Sequence, residues 1–216
     1  MNTPYWEKAA SLGAAIVASP RDAPGWLSTL PCWHRRPVDL ELPWWSYRAI
    51  RFLAGWLQPG HRVFEYGSGG SSFFVARRGA QLVSVENDPD WHRLVVEQAA
   101  IRGLSNLVCE LHPLADDTLT AFRRSSFSQR IRSEAWDAVI IDCHCGFGVP
   151  PFGVIRPAAF ADALSQVKPG GLIVVDDSWM YPELLAPRLG WRVRDFRGLG
   201  PCRYGVTSTA ILQRRE

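Results

Sequence analysis

Three groups of residues in this 216-residue sequence have types and spacing suited to chemistry. The first is Glu65-Tyr66-Gly67-Ser68-Gly69-Gly70-Ser71. Glycines let a backbone turn tightly and approach a ligand, and a helix starting at such a turn offers unpaired N–H groups. The second is Glu86, 21 residues after Glu65, with Asn87 beside it. A carboxylate at that distance, if it ends the next strand, can accept hydrogen bonds from ribose hydroxyls. The third is a set of three carboxylates, Asp142, Asp176 and Asp177. Oxygen-rich clusters of this type bind magnesium, calcium or manganese, so these three are candidate metal ligands. His144 is the candidate base, because an imidazole with a pKa of about 6.5 suits removal of a hydroxyl proton near neutrality.

These groups matter only if the elements around them bring them together. Strands are expected at Arg62–Tyr66, Gln81–Glu86, Asn106–Leu111, Trp136–Asp142, Leu172–Asp176, Trp191–Phe196 and Thr207–Gln213. Val139-Ile140-Ile141 and Leu172-Ile173-Val174-Val175 are continuously apolar, as parallel strands covered on both faces are. Helices are expected between them. Ser46 can cap one with Ala49, Ile50, Leu53, Trp56 and Leu57 on one face, ended by Pro59-Gly60. Asp88-Pro89 starts another and Gly103 ends it. Residues 71–78 and 116–133, the Phe160/Leu164/Val167 stripe and Pro182–Leu189 supply the rest. Alternating strands and helices imply a doubly wound α/β sheet of seven strands, mostly parallel, with an antiparallel strand at one edge. The glycine turn, Glu86 and the aspartates would then share the carboxyl ends of the strands, where open α/β sheets bind ligands.

Glu65 discriminates between nucleoside cofactors. It would repel a pyrophosphate, and Gly67-x-Gly69-Gly70 departs from the G-x-G-x-x-G spacing of nicotinamide sites. It would attract a cationic methionine moiety. Glu65-Tyr66-Gly67-Ser68-Gly69-Gly70 resembles the first motif of class I S-adenosylmethionine-dependent methyltransferases, which have a Rossmann-like fold. Val85-Glu86, Trp136–Asp142 and Val167-Lys168-Pro169-Gly170-Gly171-Leu172 resemble later motifs of that superfamily, in order, over roughly residues 45–216. The resemblance implies an S-adenosylmethionine site. Glu65, Gly67, Ser68, Gly69 and Ser71 would hold the methionine portion and Glu86 with Asn87 the ribose. Pro113 and Leu114, after His112, would lie near the adenine, and Trp44, Trp45 and Tyr47 would close over it. Asp142 would stand at the catalytic centre. The aspartates resemble in part those of metal-dependent O-methyltransferases, which implies a divalent ion such as magnesium. Cys145 replaces the lysine expected three residues after Asp142, and Asp177 replaces an asparagine.

Composition limits the rest. Hydrophobic residues make up 47% and net charge is +3. Lys8 and Lys168 are the only lysines; the arginines are scattered, His34-Arg35-Arg36 being one of the densest clusters, and read as solvated surface. No long basic stripe marks a nucleic-acid binder. No apolar run reaches the roughly 18 residues of a membrane span, and no secretion signal opens the chain, so a cytoplasmic protein is expected. Five cysteines include no C-x-x-C pair, and Cys143-His144-Cys145 lacks a second pair at structural-zinc spacing. Residues 1–44 open with a helix at 5–18. Pro20, Pro24, Pro31, Pro37 and Pro43 then resist regular structure while Trp26 and Trp33 require burial, which describes an irregular cap. Residues 45–216 form the cofactor domain. The expected partner is a small-molecule acceptor methylated at oxygen; nitrogen, carbon, protein and nucleic-acid acceptors, or a non-methylating cofactor binder, are the alternatives. Amino-directed base methylases resemble one another in a polar-Pro-Pro-aromatic tetrad, where this chain has Asp142-Cys143-His144-Cys145. A homodimer is compatible with the sequence.

Overall fold

The structure is a computed structural model that describes residues 5–32, 34–143 and 153–216. Its strands are β1 (Arg62–Tyr66), β2 (Gln81–Glu86), β3 (Leu107–Leu111), β4 (Trp136–Ile141), β5 (Val167–Asp176), β6 (Trp191–Leu199) and β7 (Val206–Arg214). They make one sheet in the order β3-β2-β1-β4-β5-β7-β6. β1 through β5 pair in parallel, and β7 runs antiparallel between β5 and β6. The antiparallel strand thus lies one place in from the edge. Side-chain chemistry explains that position. β6 carries Arg192, Arg194, Asp195 and Arg197, charges suited to an open edge, whereas Thr207–Leu212 of β7 is buried throughout.

The helices are α1 (Tyr5–Ala18), α2 (Ala23–Thr29), α3 (Pro37–Leu40), α4 (Tyr47–Trp56), α5 (Gly70–Ala76), α6 (Pro89–Ile101), α7 (Leu119–Arg124), α8 (Ser126–Gln129) and α9 (Ile155–Gln166). The strand period of two splits each apolar run between two layers. Phe64, Tyr66, Val139, Ile141, Ile173 and Val175 pack with α7, α8 and α9. Val63, Ala138, Ile140, Leu172 and Val174 pack with α4, α5 and α6. Ser46 caps α4 through Ala49 N at 3.3 Å, and Asp88 caps α6 through Asp90 N and Trp91 N.

Three local expectations change. Pro24 and Pro37 sit in the first turns of α2 and α3, where a missing N–H costs nothing, so the cap contains short helices. Pro182–Leu185 forms only a 3-10 turn. Pro187 follows, and Ala186 before it is extended, which ends the helix expected to Leu189. Lys168–Gly171 is not a turn before β5 but an excursion within it, the β4 partners jumping from Trp136↔Val167 to Ala138↔Leu172. Lys168 Nζ holds the excursion to Asp137 Oδ1 at 2.8 Å.

The cap is fastened across the carboxyl ends of the strands. Glu41 accepts from Arg77 after α5 and from Arg102 after α6, and Trp26 Nε1 donates to Arg203 O in the β6–β7 turn at 2.9 Å. Val38 is fully buried in the same apolar layer as α5. The closest approach is at Gly70, where a Cβ would fall 2.0 Å from Leu42 O. Gly70→Ala must therefore push cap backbone off α5. Overpacking of this kind costs about 1–3 kcal/mol. A lower melting temperature with faster proteolysis within residues 33–45 is expected; an unchanged melt would show that the cap yields freely.

Candidate cofactor and active site

The order β2-β1-β4 makes a switch point, because the chain leaves β1 toward β2 on one side and reaches β4 on the other. Helices cover opposite faces there, and a crevice opens beyond the strand ends. Gly67 turns the chain out of β1 with φ +86°, and a Cβ on it would lie 2.7 Å from Cys143 Cα. Glycine alone permits both the angle and the contact. The resulting cavity has a volume of about 740 Å³, within the ~300–1,000 Å³ range of small-molecule sites. Gly67–Ser71, Glu86–Asp88 and Trp91 line one side; Asp142, Arg156, Asp176, Asp177 and Arg203 the other; His34–Pro37, Pro43 and Trp44 the top.

Glu65 lies beneath the glycine turn and is fully buried. Its Oε2 accepts from Ser72 Oγ at 2.5 Å, while Oε1 has no hydrogen-bond partner among the described residues. Burial pushes its pKa up to about 7; nearby serine hydroxyls oppose the rise and Asp142 adds to it. Glu86, also buried, accepts four bonds. Ser68 N and Ser68 Oγ donate to Oε2 at 3.0 and 2.7 Å, and Asn87 N and Asp88 N to Oε1 at 2.8 and 3.0 Å. The Ser68 hydroxyl is the rotatable one of these donors, so its departure frees a lone pair for a ligand hydroxyl.

Among the cofactor contacts expected from sequence, Gly67, Ser68, Gly69, Ser71, Glu86, Asn87 and Asp142 line this cavity, and Glu65 underlies it. Trp44 lines it too, but Trp45 does not. Trp45 is buried and its Nε1 donates to Asp142 Oδ2 at 3.0 Å, so it positions Asp142 from behind. Tyr47 points into the cap, its hydroxyl donating to Gly25 O at 2.8 Å. Pro113 and Leu114 are also outside the lining. His112 pairs with Ser126 Oγ and Glu110 Oε2, which ties this segment to α8 and away from the crevice. His144, and Cys145 with it, lies outside the described residues.

The three aspartates do converge, together with a cation that the sequence reading passed over. Arg156, only 4% exposed, reaches in from the first turn of α9. Its Nη2 donates to Asp142 Oδ1 at 3.2 Å, Nη1 to Asp176 O at 2.7 Å and Nε to Cys143 O at 2.8 Å. A signal existed: a helix N-terminus disfavours positive charge, so an arginine there needs a partner elsewhere. Asp176 Oδ1 accepts from Thr209 Oγ1 at 2.8 Å. Asp177 Oδ1 accepts from Trp179 Nε1 and Thr207 Oγ1 and faces Arg203 at 3.6 Å. Burial raises the pKa of Asp142, Arg156 and Trp45 opposing. It raises that of Asp176 well above the usual carboxylate range, with Asp142 and Asp177 reinforcing it. The donor set fits the expected metal poorly, because a guanidinium already contacts Asp142 and one oxygen each of Asp176 and Asp177 is drawn toward a different protein donor. His34-Arg35-Arg36 is exposed, as expected, and also lines the cavity.

Glu65 gives this geometry a pH signature. Its folded-state pKa of about 7 lies above the ordinary 4.5. Between those values the folded protein holds the extra proton, so stability falls as pH rises and levels off above about 7. Glu65→Gln removes that slope. The variant should gain on wild type between about pH 5 and pH 8 in thermal melts, and parallel profiles would assign the titration elsewhere.

No family model matches the chain, and no curated protein matches it in sequence. Solved structures match its fold. A Klebsiella pneumoniae protein provisionally named an O-methyltransferase superimposes with a TM-score of 0.61 at 17% identity, over 97% of this chain and 100% of that one. An O-methyltransferase from Bacillus cereus in complex with SAH gives 0.59 at 19% identity, over 87% and 91%. An rRNA methylase from Streptococcus thermophilus gives 0.54 at 14% identity, over 79% and 96%. Likeness at these identities establishes architecture, and the chain has the fold of the class I S-adenosylmethionine-dependent methyltransferases.

Proposed function

We propose that this protein transfers a methyl group from S-adenosylmethionine to a small-molecule acceptor, at an oxygen atom. The observation that carries the reading is the buried, unpartnered Oε1 of Glu65 beneath the Gly67–Gly69 turn, with Glu86 at the end of the neighbouring strand. A buried carboxylate oxygen without a donor is costly and fits a ligand that brings a cation. The protein groups match the cofactor in order: Glu65 and the Gly67–Ser71 backbone for the methionine portion, Glu86 and Asn87 for the ribose. When bound, the cofactor supplies a methyl group already activated on a sulfonium.

What remains for this chain is placement. Asp142, held by Trp45 and Arg156, forms a fixed wall of the cavity, and rate comes from holding the acceptor in line. Burial and the neighbouring Asp142 and Asp177 raise the pKa of Asp176, at the end of β5, well above the usual carboxylate range. His144 is proposed as the base that takes the acceptor's proton. The likeness to O-methyltransferases supports oxygen as the acceptor atom. Scattered arginines and a cavity of about 740 Å³ support a small acceptor over a nucleic acid. Among the described residues no helix is long and apolar enough to cross a membrane.

Calorimetric titration with S-adenosylmethionine, S-adenosylhomocysteine and NAD tests the reading. Micromolar binding of the two sulfur ligands and none of NAD is expected. Glu86→Ala should weaken both by about tenfold to a hundredfold, as loss of charge-assisted hydrogen bonds does. Affinity should rise with pH through about 7 as Glu65 ionises and should lose that rise in Glu65→Gln. Absence of binding by either sulfur ligand would overturn the function and leave the fold.

A further inference from the structure

We propose that the guanidinium of Arg156 is the resident cation of the Asp142–Asp176–Asp177 cluster, that it excludes a divalent ion, and that ligand binding in this cavity is metal-independent. Arg156 is thereby a positioning residue for the ends of β4 and β5.

The geometry argues this from both sides. All three guanidinium nitrogens are engaged, two on the chain leaving β4 (Asp142 Oδ1 and Cys143 O) and one on the last residue of β5 (Asp176 O). One planar fork therefore ties two neighbouring strand ends, which a spherical ion with mobile ligands does less rigidly. Each carboxylate, in turn, already commits at least one oxygen to a protein donor. Asp142 Oδ2 is taken by Trp45, Asp176 Oδ1 by Thr209, and Asp177 Oδ1 by Trp179 and Thr207. A magnesium ion needs near-octahedral oxygens at about 2.0–2.1 Å, and here any ion on Asp142 Oδ1 would also meet the positive charge of Arg156. Among the described residues no group of three or more ligating side chains is placed to hold an ion.

Charge balance agrees. Asp142 faces Arg156 and Asp177 faces Arg203, so two of the three carboxylates already have a protein cation beside them. The cluster then carries at most one uncompensated negative charge with protein groups alone, and a further double positive charge would be unbalanced.

The inference deepens the methyltransferase reading but is measured on the protein alone. The full chain is stripped with chelator and titrated with manganese, followed by electron paramagnetic resonance. Separately, S-adenosylhomocysteine affinity is compared in EDTA and in magnesium. Wild type should bind no stoichiometric manganese, and its affinity should agree within about twofold between the two buffers. Arg156→Met should melt lower, on the order of 10 °C, because it leaves the half-buried Asp142 without its cation and two backbone carbonyls without their donors. Manganese should restore part of that loss in the variant while leaving wild type unmoved. Arg156→Lys, which keeps the charge without the fork, should fold and stay indifferent to manganese, so the test survives if the methionine variant does not fold. One equivalent of manganese bound by wild type and lost in Asp176→Asn would overturn the proposal, as would a tenfold gain in affinity with magnesium. Failure of S-adenosylhomocysteine to bind at all, with manganese also unbound, would remove the methyltransferase reading and support the assignment of Arg156.

Discussion

Five carboxylates, Glu65, Glu86, Asp142, Asp176 and Asp177, gather where β1, β2, β4 and β5 end, all but Asp142 buried, and their charge must be balanced. Buried charge is tolerated only when it is paired, hydrogen-bonded or protonated. Each position uses a different means. Glu86 takes four donors, two per oxygen. Asp142 takes an indole and a guanidinium, and Asp177 an indole, a hydroxyl and a more distant guanidinium. Asp176 and Glu65 shift toward the proton. The surrounding architecture supplies those means: the α9 N-terminus delivers Arg156, β7 delivers Thr207 and Thr209, and the segment entering α4 delivers Trp45.

That accounting separates two halves of the cavity. The β1–β2 side is finished except for one oxygen of Glu65 and one exchangeable donor at Glu86, a pattern of small, specific deficits. The β4–β5 side is closed upon itself by Arg156. A half with open places for charge and hydroxyls sits beside a half whose carboxylates already have protein partners. Such a division suits a reaction in which the leaving group is carried by the cofactor and the protein contributes mainly alignment.

Much of the fold was legible because local rules and global demands coincide. Val139-Ile140-Ile141 is apolar at consecutive positions because β4 is covered on both faces, and no other arrangement of a short strand requires that. Ser46, Asp88 and Gly67 each announce a cap or turn through their own chemistry. The misreadings arose where long-range contact decides. Pro37 looks like a breaker until the structure shows it opening a helix. Trp45 looks like a lid because an aromatic ring shows no direction in sequence; its N–H chose Asp142, 97 residues away. Arg156 was invisible as a site residue because nothing local distinguishes a buried arginine from a solvated one except its unfavourable place in a helix.

The cap's two anchorages have a mechanical meaning. Glu41 is tied to Arg77 and Arg102 on the β1–β2 side, while Trp26 and Thr29 are tied to Arg203 O and Cys202 N on the β7 side. The cap is thus a tie-beam bolted to both flanks of the crevice, and the flanks cannot part without breaking one set of bolts. The span between the bolts carries His34 and Arg35, so the stretch that bridges the two flanks also sets basic side chains on the cavity lining.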